Sequence, residues 1–551
     1  MQHYVYLCGM FIKTTKSKNY TYLQIVESFR EGQTTKHRVI ANLGRLDLLL
    51  ASGYLHSMGQ KLLSLNKTAY IGAEHIAETA RLCYGHLVYK KVWEQLGIGE
   101  IITKCAKGTR IKFDIAQVIF YCVVHRLLKS TSKYQAFKEQ HLFYGMENIK
   151  GVQEIYRSLD FLCDTKEAIE TQLFHQKKGV YAHPIEVAFY DVTNYHFESN
   201  KTDALRAFGF SKAGKFNEVQ VVMGLFIDST GRPIGYNLFS GNIFDGQTMV
   251  AALKMLEKQF NIRKVVIVAD KGLNSKQNFH LIRQAGYDYL VSARLKSMPK
   301  ELVQKILATH DLETKSVCKD TGEVLFSWKV LDYQTQYNDT HPTKEQWRDK
   351  LLITWSAKRA AKDARERERQ IQKATVKLAN GADLQNKKGA NRFLKTADNT
   401  NTKAIEIDEQ RIAEDTKWDG YYGIQFSKTE MTKEEVLTNY HQLWKIEESF
   451  RVLKTTLSTR PIFHWTPKRI KGHFMICFLA FMLERTVELR LKSLNIHVSP
   501  CQIKEELNHM QLSELTIEGK KYLLKGADTE FTNKILSAFR IPKFKDCAPA
   551  S

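Results

Sequence analysis

Two short apolar runs, each closing on an aspartate, constrain this chain more than any other feature. Glu186–Tyr190 (EVAFY) leads into Asp191, and Lys264–Ala269 (KVVIVA) leads into Asp270. Runs this short, rich in β-branched and aromatic residues, read as strands of a covered sheet and not as buried helices. Sites in open α/β sheets form outside the carboxyl ends of strands, where both aspartates fall. Between and around them the pattern continues. Glu218–Ile227 and Ile234–Phe239 read as strands joined by the turn Asp228-Ser229-Thr230-Gly231. Gly246–Phe260 and Ser275–Ala285 read as helices, and Tyr287–Val291 as a further strand. The order β, β, β, α, β, α, β implies an α/β fold with a mixed sheet.

The chain has 551 residues, which implies several domains. Residues 1–70 read as a small β unit, with strands at Tyr20–Phe29 and His37–Leu43 and a turn at Glu31-Gly32. Residues 71–175 read as a helical, DNA-binding domain. Within it Phe113–Leu128 is apolar on nearly all sides, as in a buried helix. Lys104, Lys107, Arg110, Lys112, Arg126, Lys129 and Lys133 make a basic rim, suited to DNA ends or simply to solvent. The β, β, β, α, β, α, β core with its two aspartates, the expected catalytic part, reads as 176–300 and 433–495. A mainly β insertion domain, 301–432, interrupts it and includes a charged helix at Lys358–Lys377. A helical tail, 496–551, follows. The net charge of +23 favours a polyanionic partner, nucleic acid before an anionic membrane surface. The apolar run Phe474–Leu483 is about half the ~20 residues that span a bilayer. Met1–Gly9 lacks a secretory pattern, so the expected location is the cytoplasm, on the nucleoid. Nine cysteines without a CxxC pair fit reduced thiols.

A single aspartate after a strand is usually just the start of a turn. Two carboxylates side by side repel, and a cation offsets that cost. All-oxygen ligands suit magnesium or manganese. A third carboxylate stands in Tyr440–Leu457 (YHQLWKIEESFRVLKTTL). Ile446, Phe450, Leu453 and Leu457 fall on one helical face, which predicts burial. Tyr440, Glu447 and Lys454 are seven apart, a step that drifts only ~20° around a helix. A ring, a carboxylate and an ammonium on one stripe suit a helix that faces DNA, with the ring stacking on a base. The plainer reading is an amphipathic helix in which Glu447 pairs with Arg451.

YHQLWKIEESFRVLK resembles the Tyr-Arg-Glu-Lys signature of the insertion-sequence "four" superfamily of DDE transposases, with Tyr440, Glu447 and Lys454 in register. FYDVTNYHFES around Asp191 and VIVADKGLNS around Asp270 look like the two aspartate motifs of that family. GFSKAGKFNEVQVVMGLFID, WDGYYGI and Arg460–Arg485 resemble it too, so the likeness runs from about Tyr181 to Arg490. The strand order is analogous to a ribonuclease-H-like core. The resemblance implies metal-dependent cleavage of transposon ends and strand transfer into target DNA, by Asp191, Asp270 and Glu447 holding two Mg2+ or Mn2+ ions. It implies double-stranded DNA as partner, at terminal inverted repeats and target, and a homodimer in a synaptic complex. Tyr440, Lys454, Arg451, Lys445 and His473 are the candidate DNA contacts, with His473 equally read as an ordinary polar residue opening the apolar helix. The signature arginine falls on Leu443, which puts a hairpin route of excision in doubt. Trp418 and Trp444 could stack on a base, but buried tryptophan is the plainer reading of both. The alternatives are a ribonuclease-H-like nuclease that does not join, and a non-catalytic DNA-binding regulator derived from a transposase.

Overall fold

The computed structural model describes residues 9–31, 34–65, 76–146, 148–176, 185–209, 217–318, 320–337, 345–381, 384, 388–396, 403–517 and 519–550. The turn residue Gly32, part of the polar stretch Gly381–Thr402, and residues 210–216 of the motif that begins at Gly209 lie outside them.

Two units divide the chain. The smaller takes residues 1–81, 513–524 and 545–551, and the larger takes 82–512 and 525–544. In the smaller unit β1 (Met10–Ser17), β2 (Tyr20–Glu31) and β3 (Thr34–Arg45) form an antiparallel meander. The two expected strands are there, and β1 adds a third. A second sheet pairs β4 (Ile76–Cys83) with strands at Gln511–Ile517, Lys520–Lys525 and Cys547–Pro549. The end of the chain is therefore not purely helical. Its polar, alternating strands were masked by the helix at Pro500–His509 before them and the one at Glu530–Ala538 among them.

The larger unit is built on a nine-stranded sheet. β5 (Val187–His196), β6 (Gln220–Asp228), β7 (Pro233–Ser240), β8 (Val266–Ala269) and β9 (Asp288–Ser292) follow the expected order. β5, β8 and β9 run parallel, and β6 and β7 turn back antiparallel at one side. One face carries Ala188, Tyr190 and Val192 of β5, Ile267 and Ala269 of β8, and Tyr289 and Val291 of β9. They pack with Met249, Leu253, Phe279 and Ile282 from the two crossover helices. On the other face the helix Trp444–Arg451 lies on β5 and β6, and Tyr195 meets Phe474 edge-on at 5.1 Å.

The segment expected as a separate insertion domain continues this sheet. β10 (Glu313–Val317), β11 (Val324–Tyr337) and β12 (Glu345–Ser356) are added beyond β9 through a strand at Tyr421–Phe426, giving the edge-to-edge order β10, β11, β12, Tyr421–Phe426, β9. The open edge of β9 presents unpaired backbone groups, and strand addition satisfies them. What stands apart is the excursion between β12 and Tyr421. It contains the charged helix Ala357–Ala379, a two-stranded ribbon and a small core around Ala374, Phe393 and Leu394.

Phe113–Leu128 forms a helix at Ile115–Leu128, buried along almost its whole length, with Asp114 capping it by accepting from the Gln117 amide. It packs against Val152–Phe174 and Pro467–Ser493, so the helical region joins the core instead of forming a separate body. Among the described residues no helix is long and apolar enough to cross a membrane.

Candidate active site

The β5–β8 register places the first two carboxylates. The last ladder pair is Tyr190 with Ala269, so Asp191 and Asp270 are the next residues on adjacent parallel strands, about 4.8 Å apart in the sheet. Side chains alternate along a strand. Tyr190, Val192 and Ala269 point into the core on one face, so Asp191 projects to the other, where the Glu447 helix lies. β5 does not stop at Asp191. It runs on to His196, held by β6, with Asp191 opposite Leu225. Asp270 follows the end of β8 and opens a short 3-10 turn.

The Tyr440–Leu457 stretch is three pieces and not one helix. Lys433–His441 ends at a turn over Gln442 and Leu443, Trp444–Arg451 follows, and Val452–Thr456 is a π-helical turn. The buried face is as the spacing predicts: Ile446, Phe450, Leu453 and Leu457 are all buried. The break removes the common stripe of Tyr440, Glu447 and Lys454, yet all three reach the same region. Tyr440, Glu447 and Asp270 line one cavity of about 510 Å3 with Trp444, Tyr422 and Arg359. Lys454 donates to Thr193 Oγ1, two residues beyond Asp191 on the same strand face. Among the described residues, no three His, Cys, Asp or Glu side chains are gathered as a metal-binding group. Asp270 and Glu447 thus share a cavity, while Asp191 lies on the neighbouring strand and is not gathered with them into a metal-binding group.

Other expected contacts fare differently. Tyr440 is only 8% exposed and its hydroxyl is bonded to that of Tyr422 at 2.6 Å. Burial, the Tyr422 hydroxyl and the Asp270 charge hold the Tyr440 phenol well above its ordinary pKa. The ring is thus packed beside Asp270 and does not present a stacking face. His473 is 2% exposed inside the Pro467–Ser493 helix, with its Nε2 at 3.1 Å from the Thr459 carbonyl. Burial and the neighbouring Arg126 push its pKa far down, so it is a neutral core residue and not a DNA contact. The basic residues before it mark only the first turn of a helix that then goes inside. Lys445 is turned away to the Ser229 carbonyl at 2.5 Å and does not line the cavity, whereas Arg451 is exposed. Leu443, at the signature arginine position, is a buried wall residue of the cavity.

Three cavity residues depart from the favoured sequence reading or were missed by it. Trp444 is 55% exposed at the cavity, against the buried reading, because it and Glu447 lie one turn apart on the face opposite Ile446 and Phe450. Arg359 lies 4.4 Å over the Tyr422 ring. It also lines a second cavity of about 650 Å3 that shares Asp270 and is bordered by Arg294, Lys296 and a half-buried Trp418. The alternating charge of 358–377, which reads as an exposed helix, concealed it. Tyr422, on the strand Tyr421–Phe426, completes the pair with Tyr440.

Comparison with known proteins adds the family. A model of the transposase DDE domain matches residues 182–483, and one of the IS1634 family transposase N-terminal domain matches residues 12–68. No curated protein matches the chain. A solved structure, the cryo-EM structure of the piggyBac transposase synaptic complex with hairpin DNA, is similar at 10% identity and a TM-score of 0.35, over 78% of this chain and 80% of that one. The DDE-domain match covers more than half of the chain and takes in Asp191, Asp270 and Glu447. The chain belongs to the transposases that carry a DDE domain.

Proposed function

We propose that this transposase cuts the ends of its own element and joins them to target DNA through Asp191, Asp270 and Glu447, set on a ribonuclease-H-like core. The observation that supports the reading is the β5–β8 register: Tyr190 pairs with Ala269, so Asp191 and Asp270 are the next residues along two adjacent parallel strands, and the Glu447 helix packs on β5. The donors are all carboxylate oxygens, with no thiolate or imidazole among them, which fits Mg2+ or Mn2+. Two such ions, held by these three residues, supply charge neutralisation at the phosphodiester and activation of water or a 3′-hydroxyl.

The protein's own residues hold the DNA in place. Lys454, steadied by Thr193, meets a backbone phosphate beside Asp191. Arg359 and Trp444 bound the cavity through which the strand reaches Asp270 and Glu447. Tyr440 is not a nucleophile, because a buried phenol held protonated is unsuited to in-line attack. Double-stranded DNA, as terminal inverted repeats and as target, is the partner, and a homodimer pairs the two ends. The net charge of +23 supports a polyanionic partner.

The test is cleavage of DNA carrying the element's ends, with Mg2+ or Mn2+. Asp191→Asn, Asp270→Asn and Glu447→Gln are each expected to abolish strand breaks and leave end binding largely intact. Near-normal cleavage by any of the three removes that residue from the site.

A further inference from the structure

A second aromatic and basic surface lies beyond Lys454. After the π-helical turn the chain runs through Arg460–Trp465 before the next helix begins at Pro467. In this stretch side chains alternate. Phe463 and Trp465 are 57% and 67% exposed, while His464 between them is buried against the rings of Tyr156 and His473. The backbone is pinned as well: Arg206 donates to the Trp465 carbonyl at 3.0 Å, and Arg206 is itself fixed by Asp203 at 2.7 Å. Two large rings are thus held outward by an anchored backbone, a conformation paid for before any ligand arrives.

The rings border a cavity of about 410 Å3 that Lys454 and Arg460 also line. Both cations neighbour Tyr195. The Lys454 ammonium stands 5.4 Å over its ring, and the charge of Arg460 acts on its hydroxyl. Glu198 and Glu218 line the cavity too, which leaves the Lys454 and Arg460 side as the place for an anion. Paired cations beside outward rings match the chemistry of a nucleic-acid strand, with phosphates on the cations and base faces on the rings.

We propose that Phe463 and Trp465 form a stacking contact for unstacked bases of the DNA strand whose phosphate Lys454 and Arg460 hold. This rests on the transposase reading above and adds a contact to it. The pinned backbone lets the rings meet bases with little ordering cost, and stacking of this kind is tolerant of base identity. The surface therefore reads exposed bases near the cut end and not their sequence.

The experiment titrates full-length protein with a fluorescent duplex carrying the element's end, fully paired or with the terminal bases unpaired. Wild type is compared with Trp465→Ala, Trp465→Phe and the Phe463→Ala/Trp465→Ala double variant. Trp465→Ala is expected to weaken binding of the unpaired end about ten-fold, Trp465→Phe to recover most of it, and the double variant to lose more. The salt dependence of binding stays unchanged in all three, because no phosphate contact is removed. Thermal melting checks that these exposed positions leave the fold intact. Binding of the unpaired end within two-fold of wild type by the double variant overturns the proposal, while intact wild-type binding leaves the transposase reading standing. So does a double variant that binds DNA normally but no longer self-associates, which makes the rings a protein contact. Failure of the wild type to bind the end at all removes the reading and the proposal together.

Discussion

At Tyr440 the hydroxyl shares a 2.6 Å hydrogen bond with Tyr422, and the ring is packed beside Asp270. Phenylalanine there keeps the ring and its packing and removes one hydrogen bond, a loss on the order of 1 kcal/mol that also leaves the Tyr422 hydroxyl unpaired. Tyr440→Phe is therefore expected to slow cleavage by about ten-fold at most and to leave end binding unchanged. A covalent tyrosine mechanism predicts complete loss, together with a protein–DNA adduct that denaturation traps in the wild type. Gel analysis of cleavage products separates the two outcomes. Asp191 and Asp270 were singled out because the strand-then-aspartate pattern, common by itself, recurs on two strands and is joined by the Tyr440–Leu457 motif, although β5 runs on past Asp191. Trp444 was not, because an aromatic residue is usually buried and only its helical phase relative to Ile446 and Phe450 shows otherwise. His473 was misleading for the converse reason: three basic residues precede it, but its own neighbours on the helix are apolar.

Among elements, the contact between the helices Val152–Phe174 and Pro467–Ser493 depends on the lack of a side chain at Gly472. A Cβ there would lie 2.1 Å from the Leu159 carbonyl oxygen and 2.8 Å from its Cα, both backbone atoms of the facing helix. Backbone cannot step aside as a flexible side chain can, so the helices must separate. Gly472→Ala is expected to lower stability by about 1–3 kcal/mol, despite the better helix propensity of alanine. Chemical unfolding measures it, and a stability equal to or above wild type shows that the helices have room to shift. The helical character of 71–175 and the apolar run Phe474–Leu483 were legible without the bounds of either helix, and so were the five strands β5 to β9 in order. The break at Gln442 and Leu443 and the π-helical turn at Val452–Thr456 were not, since the seven-residue spacing of Tyr440, Glu447 and Lys454 fits an unbroken helix equally well. Nor was the pairing of the Tyr421–Phe426 strand with β9, because strand partners distant in sequence leave no local trace.

For the larger unit as a whole, the sheet and its covering helices enclose charged groups whose protonation is linked to folding. Glu484 lies inside the Pro467–Ser493 helix, 1% exposed, with Tyr89 donating to its Oε2 at 2.5 Å. Glu488 stands one turn on, tied to Arg485 at 2.8 Å, and Arg485 also reaches Glu448 at 3.4 Å. Burial, reinforced by the Glu488 charge and opposed by Tyr89, Arg485 and Lys504, pushes the Glu484 carboxyl up to about 8. Burial likewise raises Glu488 to about 7, against the pull of Arg485. An unfolded glutamate titrates near 4.5. Between that value and about 8 the native state therefore holds more protons than the unfolded state, and stability falls as pH rises through the window. The stabilising contribution is fully present below the unfolded value and is lost on approaching the folded one. Glu484→Gln fixes the neutral form, keeps an oxygen for Tyr89 and removes this proton from the balance. Wild type is expected to lose on the order of a few kcal/mol of unfolding free energy between about pH 5 and about pH 8, and the variant distinctly less. Urea unfolding across that range makes the comparison. Parallel pH profiles for the two proteins would place the linked proton elsewhere, with Glu488→Gln the next substitution to compare.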